Sequence, residues 1–215
     1  MAAGRGQRMM PLTEEVPKAM APYQGTTLIA RGIEELRRQI PSVHITVGYR
    51  GAMLAEHVIQ HGASTVFSTE GHGNCWWVYN TFLALLDEPV CVLTCDNVVD
   101  LDIALLADEY AAHGRPACML VPVEPVPGLE GDFIFHENQI VTRLDRQSPA
   151  PTYCSGIQIL NPAKVRRCTT KNEDFGDLWS QLIAQRALVA SRVYPLRWFS
   201  VDTVAQLGLL AGDAW

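Results

Sequence analysis

Gly4, Gly6, Arg8 and Lys18 fall in the run MAAGRGQRMMPLTEEVPKAM, and their types and spacing suit the holding of a phosphate chain. Glycines at 4 and 6 let the backbone turn tightly and bring its N–H groups close to an anion. Arg8 offers a planar fork for phosphate oxygens, and Lys18 adds a compact positive charge. Pro11 and Pro17 stiffen the stretch, which has almost no helical or strand periodicity, so an open loop is expected rather than a helix. The run is not a P-loop, because GxxxxGK[ST] is absent, and GRGQRM lacks the third glycine of the dinucleotide fingerprint. A carboxylate completes the set. Asp96 follows the apolar run VCVLTC, which reads as a strand buried on both faces, and ligands of open α/β sheets bind just beyond the C-terminal ends of such strands. A carboxylate there, facing a phosphate cradle, suits Mg²⁺ shared with phosphate oxygens; the competing reading is a turn aspartate.

The elements that must position these groups are legible in the periodicity. TTLIARGIEELRRQI carries apolar residues at helical spacing, with Thr26 or Thr27 as its cap. A strand over 42–48, a helix over GAMLAEHVIQHG closed by Gly62, and a strand over STVFS follow. After VCVLTC, a helix over about 102–113 capped by Asp102 leads to the buried strand PACMLVPV. The alternation implies an α/β fold with a mostly parallel, mixed sheet. From residue 124 the texture changes to shorter strands with polar or Gly/Pro turns: PVPGLEGDFIF, HENQIVTRLD and TYCSGIQIL, the last ended by Asn161-Pro162. A helix over about 175–187, strands at LVASRVY and RWFSV, and a final short helix after Asp202 close the chain. One domain is expected, with residues 1–123 on the nucleotide side and 124–215 on the acceptor side.

The opening run closely resembles the signature of the sugar-1-phosphate nucleotidyltransferases, roughly AAGxGxRMxPLTxxxPK, through Ala2, Ala3, Gly4, Gly6, Arg8, Met9, Pro11, Leu12, Thr13, Pro17 and Lys18. The resemblance implies a Rossmann-like three-layer sandwich and transfer of a nucleoside monophosphate from an NTP to a sugar 1-phosphate, with release of pyrophosphate. It assigns Ala3, Gly4, Gly6 and Arg8 to the nucleotide, Arg8 and Lys18 to catalysis, and Asp96 and Asp202 to the metal, Mg²⁺. Trp198, Asp202 and Thr203 stand in a looser version of the family's W-x-D-x-x-T element; the bland reading of Asp202 is a helix cap. LEGDFIF and TYCSGIQILNP resemble elements of short members acting on muramate, mannose or heptose phosphates, which makes Asp132 and Gly156 acceptor contacts. Where many relatives carry Glu-Lys, this chain has Asp145-Arg146, so Arg146 takes the acceptor phosphate with different reach. EGHGNCWWVYN replaces the usual base loop, and Asn74 and Trp76 there resemble the small phosphocholine-type cytidylyltransferases. An alcohol phosphate such as phosphocholine is therefore the alternative acceptor, and a nucleotide-sugar-binding regulatory domain without turnover is the alternative of another class. Family members carry about six apolar residues ahead of AAG as a central strand; here that first strand is truncated, for which a misplaced start is the expected explanation.

The bulk numbers set outer bounds. A chain of 215 residues, 48% hydrophobic and 19% charged, buries an ordinary core, and a net charge of −6 argues against general nucleic-acid binding. Neither a membrane span nor a signal segment is visible, which points to the cytoplasm and to no membrane partner. The six cysteines show no CxxC spacing and lie mostly in apolar runs, as small buried hydrophobes do. The sequence leaves the oligomeric state, monomer or homodimer, open.

Overall fold

The computed structural model describes residues 1–129 and 131–212. In chain order the elements begin with α1 (Leu12–Glu15), β1 (Pro22–Tyr23), β2 (Thr26–Thr27), α2 (Leu28–Arg37), β3 (His44–Val47), α3 (Gly51–Gln60) and β4 (Thr65–Ser68). They continue through α4 (Trp77–Asn80), β5 (Val90–Val92), β6 (Asn97–Asp100), α5 (Ile103–Ala112), β7 (Cys118–Val123), β8 (Phe133–Glu137), β9 (Ile140–Asp145) and β10 (Tyr153–Leu160). The last are α6 (Pro162–Cys168), α7 (Phe175–Ala184), β11 (Leu188–Ala190), β12 (Arg197–Ser200) and α8 (Val204–Gly212). They form two compact units, one of residues 1–72, 94–98 and the chain from 199, the other of 73–93 and 99–198.

In the first unit β3 and β4 pair in parallel, His44 opposite Thr65 through Val47 opposite Ser68, and α3 supplies the crossover that parallel strands require. α2 starts where Thr27 accepts a hydrogen bond from the Ala30 N–H at 3.2 Å, the cap expected from the sequence. Its Ile29 and Ile33 bury against Ile45, Val47, Leu54 and Val58. Residues 1–3 lie on the other edge of β3. Ala2 makes a single parallel bridge to Val47, its N–H donates to Thr46 O at 3.0 Å, and Tyr49 N–H donates to Ala3 O at 3.1 Å. On their far side Cys95 N–H donates to Met1 O at 2.9 Å. Residues 1–3 are thus paired on both edges, which is how their backbone groups escape the cost of burial without partners. Gly48 permits the contact: a Cβ there would stand 2.7 Å from Ala3 O.

The opening stretch departs from the expected open loop. It folds into a 3-10 turn at Gln7–Met9, the single helical turn α1 and a second 3-10 turn at Lys18–Met20. The prolines stand at the joints between these turns, as N-cap residues Pro11 and Pro17, so they punctuate helical turns rather than prevent them. Met9, fully buried, anchors the stretch among Ala21, Tyr23, Leu28, Val201 and Leu210.

The second unit is built on a six-stranded sheet in the order β5-β10-β7-β11-β9-β8. β7 and β11 pair in parallel, and β10 runs antiparallel between β5 and β7. With β9 antiparallel to β11 and β8, strands β5, β7, β8 and β11 share one direction while β9 and β10 oppose it. The sheet is therefore mixed, as expected, but not mostly parallel in its pairings: among the described residues of this sheet β7 and β11 alone pair in parallel, because β9 and β10, from the segment whose texture changes after residue 124, lie between strands of the opposite direction. α5 begins where Asp102 accepts from Leu105 N–H at 2.9 Å, again as expected, and lays Leu106 and Tyr110 against Met119, Val121, Ile157 and Ile159. Asn161-Pro162 ends β10 and also opens α6, which the sequence reading did not include: Asn161 caps it and Pro162 takes the first turn.

Candidate active site

Four of the residues singled out in the sequence meet in the first unit. The Lys18 ammonium donates to Asp96 Oδ2 at 2.7 Å and to Asp202 Oδ1 at 2.8 Å. Arg8 Nη2 donates to the same Asp202 oxygen at 2.8 Å. Both carboxylate oxygens thus face one nitrogen, although Asp96 and Asp202 lie 78 and 184 residues from Lys18 along the chain. The side chain of Lys18 is 11% exposed, whereas that of Arg8 is 62% exposed and reaches into solvent.

The backbone explains why these groups converge. Gly6 is left-handed at φ 67°, and a Cβ on it would lie 2.6 Å from Lys18 Cβ. The bare α-carbon of Gly6 is therefore the surface on which the Lys18 stem rests. Gly4 has nothing within 4 Å of an added Cβ and faces open space. Thr13 ties the turn shut by donating its hydroxyl to Gly6 O at 3.0 Å. Tyr49 staples both ends of the stretch: its N–H holds Ala3 O, its hydroxyl donates to Thr13 O at 3.0 Å, and the Arg5 guanidinium lies 5.4 Å over its ring. Arg50 adds a hydrogen bond to Glu14 O. The sequence named Thr13 as part of the opening signature without giving it a role, and Tyr49 gave no signal.

Asp96 and Asp202 are brought side by side because Val201 N–H donates to Asp96 O at 2.9 Å. Asp202 does not cap α8. Gln206 N–H donates to Thr203 Oγ1 at 3.2 Å, and Gln206 Oε1 accepts from the N–H groups of Thr203 and Asp202 at 2.9 and 2.6 Å. This is a capping box on Thr203, and it leaves the Asp202 carboxylate for Arg8 and Lys18. The electrostatics follow. Burial by itself would raise the Asp96 pKa, but the Lys18 charge and hydrogen bond, with the Thr94 hydroxyl, hold it below the usual carboxylate value. Burial would likewise lower Lys18, yet Asp96 and Asp202 together raise it, so the ammonium stays charged.

Among the described residues no group of three or more His, Cys, Asp or Glu is placed to hold a metal ion. Two carboxylates with hard oxygen donors, already facing one shared cation, still fit Mg²⁺, which is held by one or two carboxylates with phosphates and water completing its shell. The cysteines take no part: burial raises every thiol, Cys75, Cys91 and Cys154 to about 12 and Cys95 to about 11, so none is a thiolate near neutral pH.

The other sequence-predicted residues belong to the second unit. Arg146 Nε donates to Asp132 Oδ1 at 2.8 Å, so these two acceptor candidates form one exposed pair. Gly156 is left-handed at φ 79° on β10, inside the register shift between Cys154 and Ile157. Asn74 is exposed, but its Oδ1 accepts from Phe175 N–H at 2.9 Å and caps α7 in place of Asp174. Trp76 is half-buried and Trp77 is core, 4% exposed and edge-on to Phe175. Gly131, beside Asp132, is dictated by packing: a Cβ there would meet the buried Tyr153 ring at 2.0 Å.

The family profile described as the MobA-like NTP transferase domain matches residues 1–209. The mannose-1-phosphate guanyltransferase of Candida albicans is 26% identical over 180 residues, which is 77% of this chain and 49% of that protein. The chain spans about half the length of the curated relatives it matches. Among solved structures, the inositol-1-phosphate CTP transferase from T. maritima aligns at a TM-score of 0.75 and 14% identity, covering 100% of this chain and 96% of that one. The CTP:phosphocholine cytidylyltransferase from Streptococcus pneumoniae aligns at 0.73 and 19% identity, covering 97% and 94%. These likenesses show the fold, the Rossmann-like α/β arrangement of the nucleotide-diphospho-sugar transferases.

Proposed function

Because the chain belongs to the MobA-like NTP transferase domain family, we propose that it transfers a nucleoside monophosphate from an NTP to a sugar 1-phosphate and releases pyrophosphate. The observation that carries the reading is the convergence of Arg8 and Lys18 on Asp96 and Asp202 beside the Gly4–Gly6 turn. A phosphate oxygen of the acceptor forms the new bond to the α-phosphorus, and the bond to the bridging oxygen of pyrophosphate breaks. That oxygen is already anionic at neutral pH, so no general base is needed, and catalysis is positioning and charge neutralisation.

In this reading the backbone at Ala3, Gly4 and Gly6 lies along the triphosphate, and the exposed Arg8 fork grips its outer oxygens. Lys18, charged and nearly enclosed, meets the negative charge that builds on the transferring phosphoryl group. Asp96 and Asp202 would hold Mg²⁺, which when bound neutralises charge on phosphate oxygens. Asn74 offers a base its amide N–H groups, its carbonyl already accepting one hydrogen bond at the start of α7, and the half-buried Trp76 offers a stacking face. Asp132, Arg146 and Gly156 are proposed to hold the acceptor, the sugar through Asp132 and its phosphate through Arg146. The curated relatives named for mannose 1-phosphate make that sugar with GTP the first pair to try. The reaction is proposed for the cytoplasm, where NTPs are made, with the activated sugar consumed in cell-envelope polysaccharide synthesis. Among the described residues no helix is long and apolar enough to cross a membrane.

The test is pyrophosphate release with Mg²⁺, each NTP in turn, and a panel of sugar 1-phosphates together with phosphocholine. Release with one NTP and a sugar 1-phosphate is the expected result. Release with phosphocholine alone moves the acceptor to an alcohol phosphate, and silence from folded protein that binds nucleotide refutes turnover.

A further inference from the structure

Lys18 lies between the two carboxylates that the functional reading gives to a divalent cation. Its single nitrogen lies 2.7 Å from Asp96 Oδ2 and 2.8 Å from Asp202 Oδ1. An ion bridging those oxygens would sit at about 2.0–2.1 Å from each, so ion and ammonium exclude each other by volume as well as by charge. We propose that Lys18 stands in for the divalent cation between Asp96 and Asp202, holding the two carboxylates together and keeping a lone metal ion out until nucleotide phosphates arrive to receive the lysine. The inference rests on the functional reading above and adds an order to it: cation and nucleotide enter as partners.

Three features support the exchange. Lys18 is anchored at its root, because its stem lies on Gly6 and its backbone opens the Lys18–Met20 turn. The ammonium is therefore directed at this spot rather than free to search the surface. Arg8, by contrast, pairs with Asp202 but, among the described residues, makes no ion pair with Asp96, and its side chain is mostly solvent-exposed. Finally, a lysine that leaves two carboxylates needs another anion, and a triphosphate along the Gly4–Gly6 turn supplies one within the same neighbourhood. Coupling of this kind is reciprocal: if phosphates raise the affinity for the ion, the ion raises the affinity for the phosphates by the same factor.

The experiment is titration with Mn²⁺ alone, read by the electron paramagnetic resonance of the free ion, on the whole chain without nucleotide. Lys18→Met is expected to tighten Mn²⁺ binding by at least about fivefold, the lower end of ordinary coupling between two ligands. Arg8→Met removes the same charge from the protein and is expected to tighten it by clearly less. Unchanged or weaker binding in Lys18→Met overturns the proposal, as does an equal gain in Arg8→Met, which would reduce the effect to net charge. Lys18→Gln serves if the methionine variant does not fold. A double Asp96→Asn/Asp202→Asn variant separates the two levels. If it abolishes Mn²⁺ binding while Lys18→Met brings no gain, the metal site stands and the stand-in role falls; if Mn²⁺ binds it as before, both fall.

Discussion

Gly6→Ala is the perturbation that tests the site most directly, because two independent costs fall on one methyl group. The residue sits at φ 67°, where an L side chain costs about 1–2 kcal/mol. The new Cβ would then stand 2.6 Å from Lys18 Cβ. That atom is fixed to the backbone, so rotating the lysine does not relieve the contact, and overpacking of this kind costs roughly 1–3 kcal/mol. Together the loss is about 2–5 kcal/mol, and each kcal/mol lowers the Tm of a domain this size by about 2–4 °C. Gly4→Ala is the matched control. Nothing lies within 4 Å of its added Cβ and its φ is not left-handed, so its stability should stay within about 0.5 kcal/mol of the parent. Urea and thermal melts of the two variants decide the matter. Pyrophosphate release should follow in Gly6→Ala, falling by about 10²–10³ if the Lys18 charge is pushed off the reacting groups. Equal melting of Gly6→Ala and the parent would refute the reasoning, since it would mean that the Lys18 stem does not depend on a bare α-carbon.

Other outcomes follow from the same geometry. Asp96→Asn should lower pyrophosphate release by roughly 10²–10³ with the circular-dichroism spectrum retained, since the side chain acts through its charge; full activity would remove the carboxylate from the mechanism. Tyr49→Phe deletes the hydroxyl's hydrogen bond to Thr13 O and the one it accepts from Arg50 Nε, so nucleotide affinity measured by calorimetry should weaken while stability falls by about 0.5–1.5 kcal/mol for each bond lost. Gly131→Ala should unfold the second unit at markedly lower temperature, because the clash is with the ring of fully buried Tyr153. Glu109 accepts from Arg192 side-chain and backbone N–H groups and from His113, and the Arg192 hydrogen bonds, outweighing burial, pull its pKa from 4.5 to about 2. A depressed folded-state pKa stabilises above the unfolded value and is lost as pH falls through the folded one. Acid melts should therefore steepen between pH 4.5 and about 2, and Glu109→Gln should flatten that limb.

What the sequence determined by itself was local. Helix starts at Thr27 and Asp102 were legible because a cap is decided by a side chain and an N–H three residues on. The alternation of strand and helix was legible because side-chain periodicity is set by the backbone, and the opening run was legible as a candidate phosphate cradle because its glycines, Arg8 and Lys18 lie within fifteen residues of each other. The helical turns inside that run were not, since each is too short to show a period. The tertiary structure decided everything that depends on residues far apart. Gly4 and Gly6 look alike in the sequence, and only the Lys18 stem against one of them separates their roles. Asp202 read as a possible cap until Thr203 and Gln206 took that position. Asn74 looked like a ligand group, yet its carbonyl serves the start of a helix 101 residues away. Lys18 between two carboxylates 78 and 184 residues downstream has no local signature at all. Ion pairs of that span are fixed by which strand ends the topology sets side by side, and that follows from the packing of the whole unit rather than from any stretch of it.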